Sequence, residues 1–115
     1  MGTEWRTSPL HMADAYIELV HEHEQPGVDQ ILDGMAESAQ HGTAAEIGRA
    51  LRSTRALAKT GTAPCTHQHK APGDGFTVAL FPADNPRILL MVRVHGVPGA
   101  VAAKTAGQML RKVED

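Results

Sequence analysis

Ala58-Lys59-Thr60-Gly61-Thr62-Ala63 is the stretch from which the rest of the chain is read outward. Its residue types suit a short strand. Side chains alternate along a strand, which puts Thr60 and Thr62 on one face and Lys59 and Gly61 on the other. Two hydroxyls on one face can donate to the same anionic group, and Lys59 beside them supplies a compact positive charge. Gly61 leaves room for a ligand or a second backbone to come close, at the cost of a weaker strand. The chemistry expected of such a strand is carboxylate binding. For so short a run, the bland alternative is a solvated lysine in a threonine-rich turn. A phosphate loop also ends in Lys-Thr, but it needs a glycine just before the lysine and another farther upstream. Here Ala58 precedes Lys59 and Arg55-Ala56-Leu57 lies upstream, which excludes it.

Composition narrows the classes. A chain of 115 residues is at most one domain of ordinary size, or a piece of a larger one. Apolar residues make up 42%, enough for a modest core and too many for a disordered chain. A net charge of −2 argues against nucleic acid or an anionic membrane held by bulk charge. With 3% aromatics, base-stacking platforms are excluded as well. The lone Cys65 rules out an internal disulfide. No apolar run is long enough to span a bilayer, and the start is not signal-like, so any targeting segment is expected outside this chain.

Upstream of the strand, Thr7-Ser8-Pro9 reads as a helix start, with Leu10, Ala13, Ile17 and Val20 at helical spacing and Met12, Tyr16 and Leu19 beside them. Pro26-Gly27 punctuates its end. His21 and His23 are two apart and do not face each other on a helix, so they are expected to be solvated rather than metal-bound. A second helix carries Ile31, Leu32, Met35, Ala36 and Ala39 on its apolar face. Gly42 reads as a left-handed C-terminal cap. Thr43, with Glu46 three residues on, reads as the capping box of a short helical segment, Ala44 to Leu51.

Downstream, Cys65-Thr66-His67-Gln68-His69 sits in a polar loop. A soft metal could use Cys65, His67 and His69, but a closed zinc site takes four ligands and no second pair appears. Two strands follow. Phe76, Val78 and Leu80 alternate with Thr77, Ala79 and Phe81, and Ile88 to Val92 is continuously apolar, a pattern expected of strands covered on both sides. Pro82-Ala83-Asp84-Asn85-Pro86 between them is turn chemistry, which makes them an antiparallel hairpin. A closing helix has Ala102, Ala106, Met109 and Val113 on one side. The predicted elements are helices at about 9–24 and 28–41, strands at about 54–63, 75–83 and 87–95, and a helix at about 99–113. The fold class is α/β, in the α+β sense: an antiparallel sheet of about three strands with helices packed on both faces. Three strands offer little to bury two-sided central strands, so the sheet is expected to be completed by further chain.

With these elements in order, the chain resembles the C-terminal portion of a penicillin-binding protein transpeptidase domain, a partial β-lactamase/transpeptidase-like fold. Thr7-Ser8-Pro9-Leu10-His11-Met12-Ala13 is similar to that family's T-P-L-Q-M-A helix start. Gly42-Thr43-Ala44 resembles its G-T-A. Ala58-Lys59-Thr60-Gly61-Thr62-Ala63 resembles its G-K-T-G-T-A strand. Asp74-Gly75-Phe76 and Phe81-Pro82-Ala83-Asp84-Asn85-Pro86-Arg87 resemble its next strand opening and hairpin turn. The landmarks cover nearly the whole of residues 1–115.

The resemblance implies serine acyl transfer on D-Ala-D-Ala peptides of peptidoglycan, outside the cytoplasm at the cell envelope, with no cofactor. It implies that Lys59 stabilises the proton network and the anion. It also implies that Thr60, Gly61 and Thr62 bind the carboxylate of a stem peptide or β-lactam. The family's S-x-x-K and S-x-N motifs have no match among Ser8, Ser38 and Ser53. The nucleophilic serine, and with it the partner this chain needs, is therefore expected from the N-terminal part of such a domain, in the same or a separate chain. Two other readings remain at this point. One is a non-catalytic binding or assembly module with a degenerate transpeptidase fold. The other is a small metal-binding protein using Cys65, His67 and His69.

Overall fold

Ser8 opens the first helix. Its Oγ accepts the His11 N–H at 3.1 Å, satisfying one of the donors that a helix start leaves without an internal partner. The computed structural model describes residues 8–63 and 73–114. Within them the elements run α1 (Pro9–His21), α2 (Val28–His41), α3 (Ala45–Ala50), β1 (Leu57–Ala63), β2 (Asp74–Phe81), β3 (Ile88–His95) and α4 (Gly99–Val113). The strands form one antiparallel sheet in the order β1-β2-β3. Leu57 lies opposite Leu80 and Leu80 opposite Leu89; Gly61 lies opposite Phe76.

This register sorts side chains by face. Leu57, Leu80 and Leu89 share one face and pack against Tyr16, Leu19 and Val20 of α1 and Leu32 and Met35 of α2. Ala58, Ala79 and Val92 share the other face, under Ala102, Ala103, Ala106 and Leu110 of α4, with Ile47 of α3 in the same cluster. The sheet therefore carries helices on both faces, an α+β layered arrangement. Among the described residues no helix is long and apolar enough to cross a membrane.

Several boundaries and phases differ from the sequence expectation, each for a local reason. Helix α1 stops at His21, not near 24, because the His23 backbone N–H and the His23 ring both reach the Val20 carbonyl and close the last turn. Its stripe is also rotated. Leu10 and Ile17 are exposed, while Tyr16, Leu19 and Val20 face the sheet. Ile31 of α2 is likewise exposed. On α4 the buried residues are Gly99, Ala102, Ala103, Ala106, Gly107 and Leu110, with Met109 and Val113 outside. Ala102 and Ala106 are buried as expected, but the face turns toward Ala103, Gly107 and Leu110, because α4 lies close against the sheet and mostly small residues fit there. Burial on both sides holds for β2, whereas β3 is largely half-exposed and ends in the exposed Arg93 and His95. Gly42 has φ −100°, not a left-handed value. What requires glycine there is contact: a Cβ would lie 2.9 Å from Ser38 Cα.

Strand β1 begins at Leu57 rather than at 54, because the backbone before it is tied elsewhere. Glu114, just past α4, accepts the N–H groups of Arg52 (2.7 Å), Ser53 (3.1 Å) and Thr54 (2.8 Å) through its carboxylate. Those donors, the Arg52 N–H first, hold its pKa down at about 2 against the opposing effect of burial. The C-terminal end of α4 thus fixes where β1 starts.

Candidate functional site

The Lys59–Thr62 segment occupies the middle of β1, an outer strand of the sheet. Thr60 and Thr62 share the α4 face, and Lys59 and Gly61 the other, as strand alternation requires. Each is held by specific contacts. Lys59 is exposed, and its Nζ donates to the Thr60 carbonyl at 2.7 Å. Thr60 is only 7% exposed. Its Oγ1 lies 2.6 Å from Thr43 Oγ1. Thr62 is exposed, and its Oγ1 accepts the Gly99 N–H at 3.1 Å. The two hydroxyls therefore share a face, while the ammonium folds back onto the main chain.

Gly61 is enclosed from both sides. On one face the Phe76 ring occupies the space a Cβ would take. On the other, α4 begins so close that a Cβ on Gly99 would lie 2.6 Å from the Gly61 carbonyl oxygen. Gly61 accordingly serves a close backbone approach, here by the protein's own helix. The loop leading into α4 is pinned throughout. Gly99 O accepts from Thr77 Oγ1 at 3.3 Å. The Pro98 carbonyl lies directly over Gly75. The Gly96 N–H donates to Asp74 Oδ1 at 3.3 Å.

Asp74, buried at the start of β2 opposite Ala63, gathers donors from β3. Arg93 donates to its Oδ2 through Nε (3.1 Å) and Nη2 (2.6 Å), and His95 Nδ1 lies 2.7 Å from Oδ1. The Arg93 guanidinium holds this carboxyl below the usual carboxylate range, against the opposing effect of burial. The cluster locks the open end of the β2–β3 hairpin, away from its turn and next to the candidate strand.

Thr43 has a different place from the one expected of it. The N-cap of α3 is Ala44, with no side-chain cap, so Thr43 closes no capping box. Glu46 pairs instead with Arg49. Sequence reasoning places Asp74 and Phe76 only in a strand opening and misses what they hold. Glu114 carries no local signal, and Gly99 carries none beyond the Pro98-Gly99 pair that punctuates the chain. Cys65, His67 and His69 lie outside the described residues. A cleft lies toward the other end of β1, between α1, α2 and the β2–β3 turn, lined by Val20, His21, Leu32, Arg55, Leu57 and Asp84. It includes none of Lys59, Thr60, Gly61 and Thr62. What the candidate strand offers is an outer strand with paired hydroxyls, not a closed cavity.

Comparison with known proteins agrees with this architecture. The family model described as the penicillin binding protein transpeptidase domain matches residues 1–113. A crystal structure of Pseudomonas aeruginosa PBP2 in complex with WCK 5153 is similar at 26% identity, with a TM-score of 0.59 over 76% of this chain. The chain spans 19% of the length of that protein. No curated protein matches the sequence.

Proposed function

The chain belongs to the penicillin-binding protein transpeptidase domain family, and from that premise we propose that residues 1–115 form the C-terminal portion of such a domain and act in peptidoglycan cross-linking outside the cytoplasm. Thr60 and Thr62 bind the terminal carboxylate of a D-Ala-D-Ala stem peptide or of a β-lactam. Lys59 leaves the Thr60 carbonyl to stabilise the anion and the proton network around the reacting serine. Gly61 keeps the strand low enough for a substrate backbone to lie along it, adding to the sheet near Thr62. The nucleophilic serine comes from chain outside this sequence, and no cofactor takes part.

The observation that carries the reading is the donor geometry on this outer strand. Thr62 Oγ1 already accepts the Gly99 N–H at 3.1 Å, so its own proton is left to donate. Thr60 presents a second hydroxyl on the same face of the same strand. Two hydroxyl donors beside an ammonium are suited to a carboxylate, whose charge makes each such bond roughly twice as strong as a neutral one.

The test uses the protein as its host makes it. An extract is treated with fluorescent penicillin, resolved on a denaturing gel and probed with an antibody to this chain. The expected result is a labelled, antibody-positive band that loses its label in a Lys59→Ala strain while the antibody signal persists. Wild-type labelling in that strain would overturn the role given to Lys59. Absence of label on any antibody-positive or co-purifying band would overturn the enzymatic reading.

A further inference from the structure

We infer that Thr43 is a positioning residue for the carboxylate site: its hydroxyl donates to Thr60 Oγ1 and thereby turns the Thr60 proton outward, toward the bound anion. The inference rests on the carboxylate reading above and adds to it a residue outside the Lys-Thr-Gly-Thr run.

Thr43 stands between two helices, where a threonine normally accepts a backbone N–H as a cap. It does not do so here. Its Oγ1 instead meets Thr60 Oγ1, 17 residues away in sequence, at 2.6 Å, at the short end of the range for hydroxyl–hydroxyl bonds. Both sides of the contact are fixed. Around Thr43, the N–H groups of Gly42 and Ala44 both donate to the Ser38 carbonyl, at 3.2 and 3.1 Å, and Ala44 is fully buried. Across from it, Thr60 is held in the sheet opposite Thr77. Both backbones are therefore held, and the contact depends only on the χ1 rotamers of the two threonines.

A hydroxyl has one proton and two lone pairs. Within this pair, either threonine can be the donor while no ligand is bound. A carboxylate accepts only, so its arrival selects one arrangement. Thr60 gives its proton to the ligand, and Thr43 gives its proton to Thr60. Each bond in such a chain polarises the next. Thr43 touches no ligand in this arrangement; it acts through Thr60. A valine in its place keeps the shape but leaves the nearly buried Thr60 oxygen without its donor.

The test titrates N-acetyl-D-alanyl-D-alanine, and separately its C-terminal amide, into the ¹⁵N-labelled complete transpeptidase that carries this chain. Amide shifts along β1 are followed. Wild type should bind the acid more tightly than the amide. Thr43→Val should weaken acid binding by about 2- to 12-fold, the equivalent of one ordinary hydrogen bond, and leave amide binding unchanged. Thr43→Ser should restore the acid preference. A residue needed only for packing would move acid and amide together and would not be rescued by serine. Should the valine variant lose its folded spectrum, Thr43→Ala and Thr43→Ser make the same comparison. Undiminished acid preference without the hydroxyl, or failure of serine to restore it, overturns the inference and leaves the carboxylate reading intact. Wild type without acid preference overturns both.

Discussion

The two ends of α4 grip the two ends of the β1 segment by different means. At its C-terminal end a charged group does it: the Glu114 carboxylate takes three backbone N–H groups from residues 52–54. At its N-terminal end close contact does it. Gly99 lies against Gly61, with neutral hydrogen bonds to Thr62 and Thr77. The first grip can be titrated, because protonation removes an acceptor. The second rests on neutral groups at Gly99, Gly61, Thr62 and Thr77 and is the one broken by added volume. The charged grip sets where the strand begins, and the contact grip sets how the candidate site sits under the helix. Separating the two lets the site be perturbed without moving the start of its strand.

The largest effect should come from weakening the shared core rather than either grip. Leu110 is buried in the α3–α4–sheet cluster one turn before Glu114. Leu110→Ala should cost about 2–5 kcal/mol, read from chemical denaturation, and should loosen both ends together. Next comes the contact grip. Gly99→Ala places a methyl 2.6 Å from the Gly61 carbonyl oxygen, which is backbone and cannot swing away. The expected loss is about 1–3 kcal/mol, with amide shift changes concentrated at Gly61 and Thr62 and little change at residues 52–54.

The charged grip should respond to pH. Folding lowers the Glu114 pKa from 4.5 to about 2, so its stabilising effect is complete above the unfolded value and is lost as pH falls through that window. Wild-type stability should fall between those two values. Glu114→Gln should start lower at neutral pH and lack that part of the acid loss, in melting curves taken across the range. Asp74, also held below the usual carboxylate range by Arg93, contributes acid sensitivity of the same sign and remains in the variant, so the slope should shrink rather than vanish. The smallest effect belongs to the outer face of α4. Met109 is 48% exposed, and Met109→Ser should change stability by no more than about 0.5 kcal/mol.

Much of this architecture is legible in the chain itself. Alternation in Phe76–Phe81 and the Pro82-Ala83-Asp84-Asn85-Pro86 turn chemistry are local properties, and they specify the hairpin without outside help. The shared face of Thr60 and Thr62 follows from strand alternation alone. The phase of α4 is not legible. Met109 and Val113 are more hydrophobic than Ala102 and Ala106, yet the buried face of α4 is made of small residues with Leu110 as its one large side chain. The role of Thr43 is hidden for a similar reason. Its sequence neighbourhood suits a cap, and only the fold brings Thr60 within reach to compete for its hydroxyl. Glu114 is the extreme case. Its partner Arg52 lies 62 residues away and contributes a backbone group, so residue identity carries no trace of the pairing.

The grips at both ends also make α4 a gauge length. Its buried face is glycine and alanine apart from Leu110, and offers mostly shallow ridges, which resist displacement along the helix axis weakly. The axial position is therefore defined at the ends. Fifteen residues at about 1.5 Å each set a span of about 22 Å. Inserting or deleting one residue would shift one end by about 1.5 Å and rotate it by about 100° relative to the other, so both grips could not close together. The length of this helix measures out the strand on which the site is laid, and that makes its residue count, more than its outward-facing composition, the property the fold depends on.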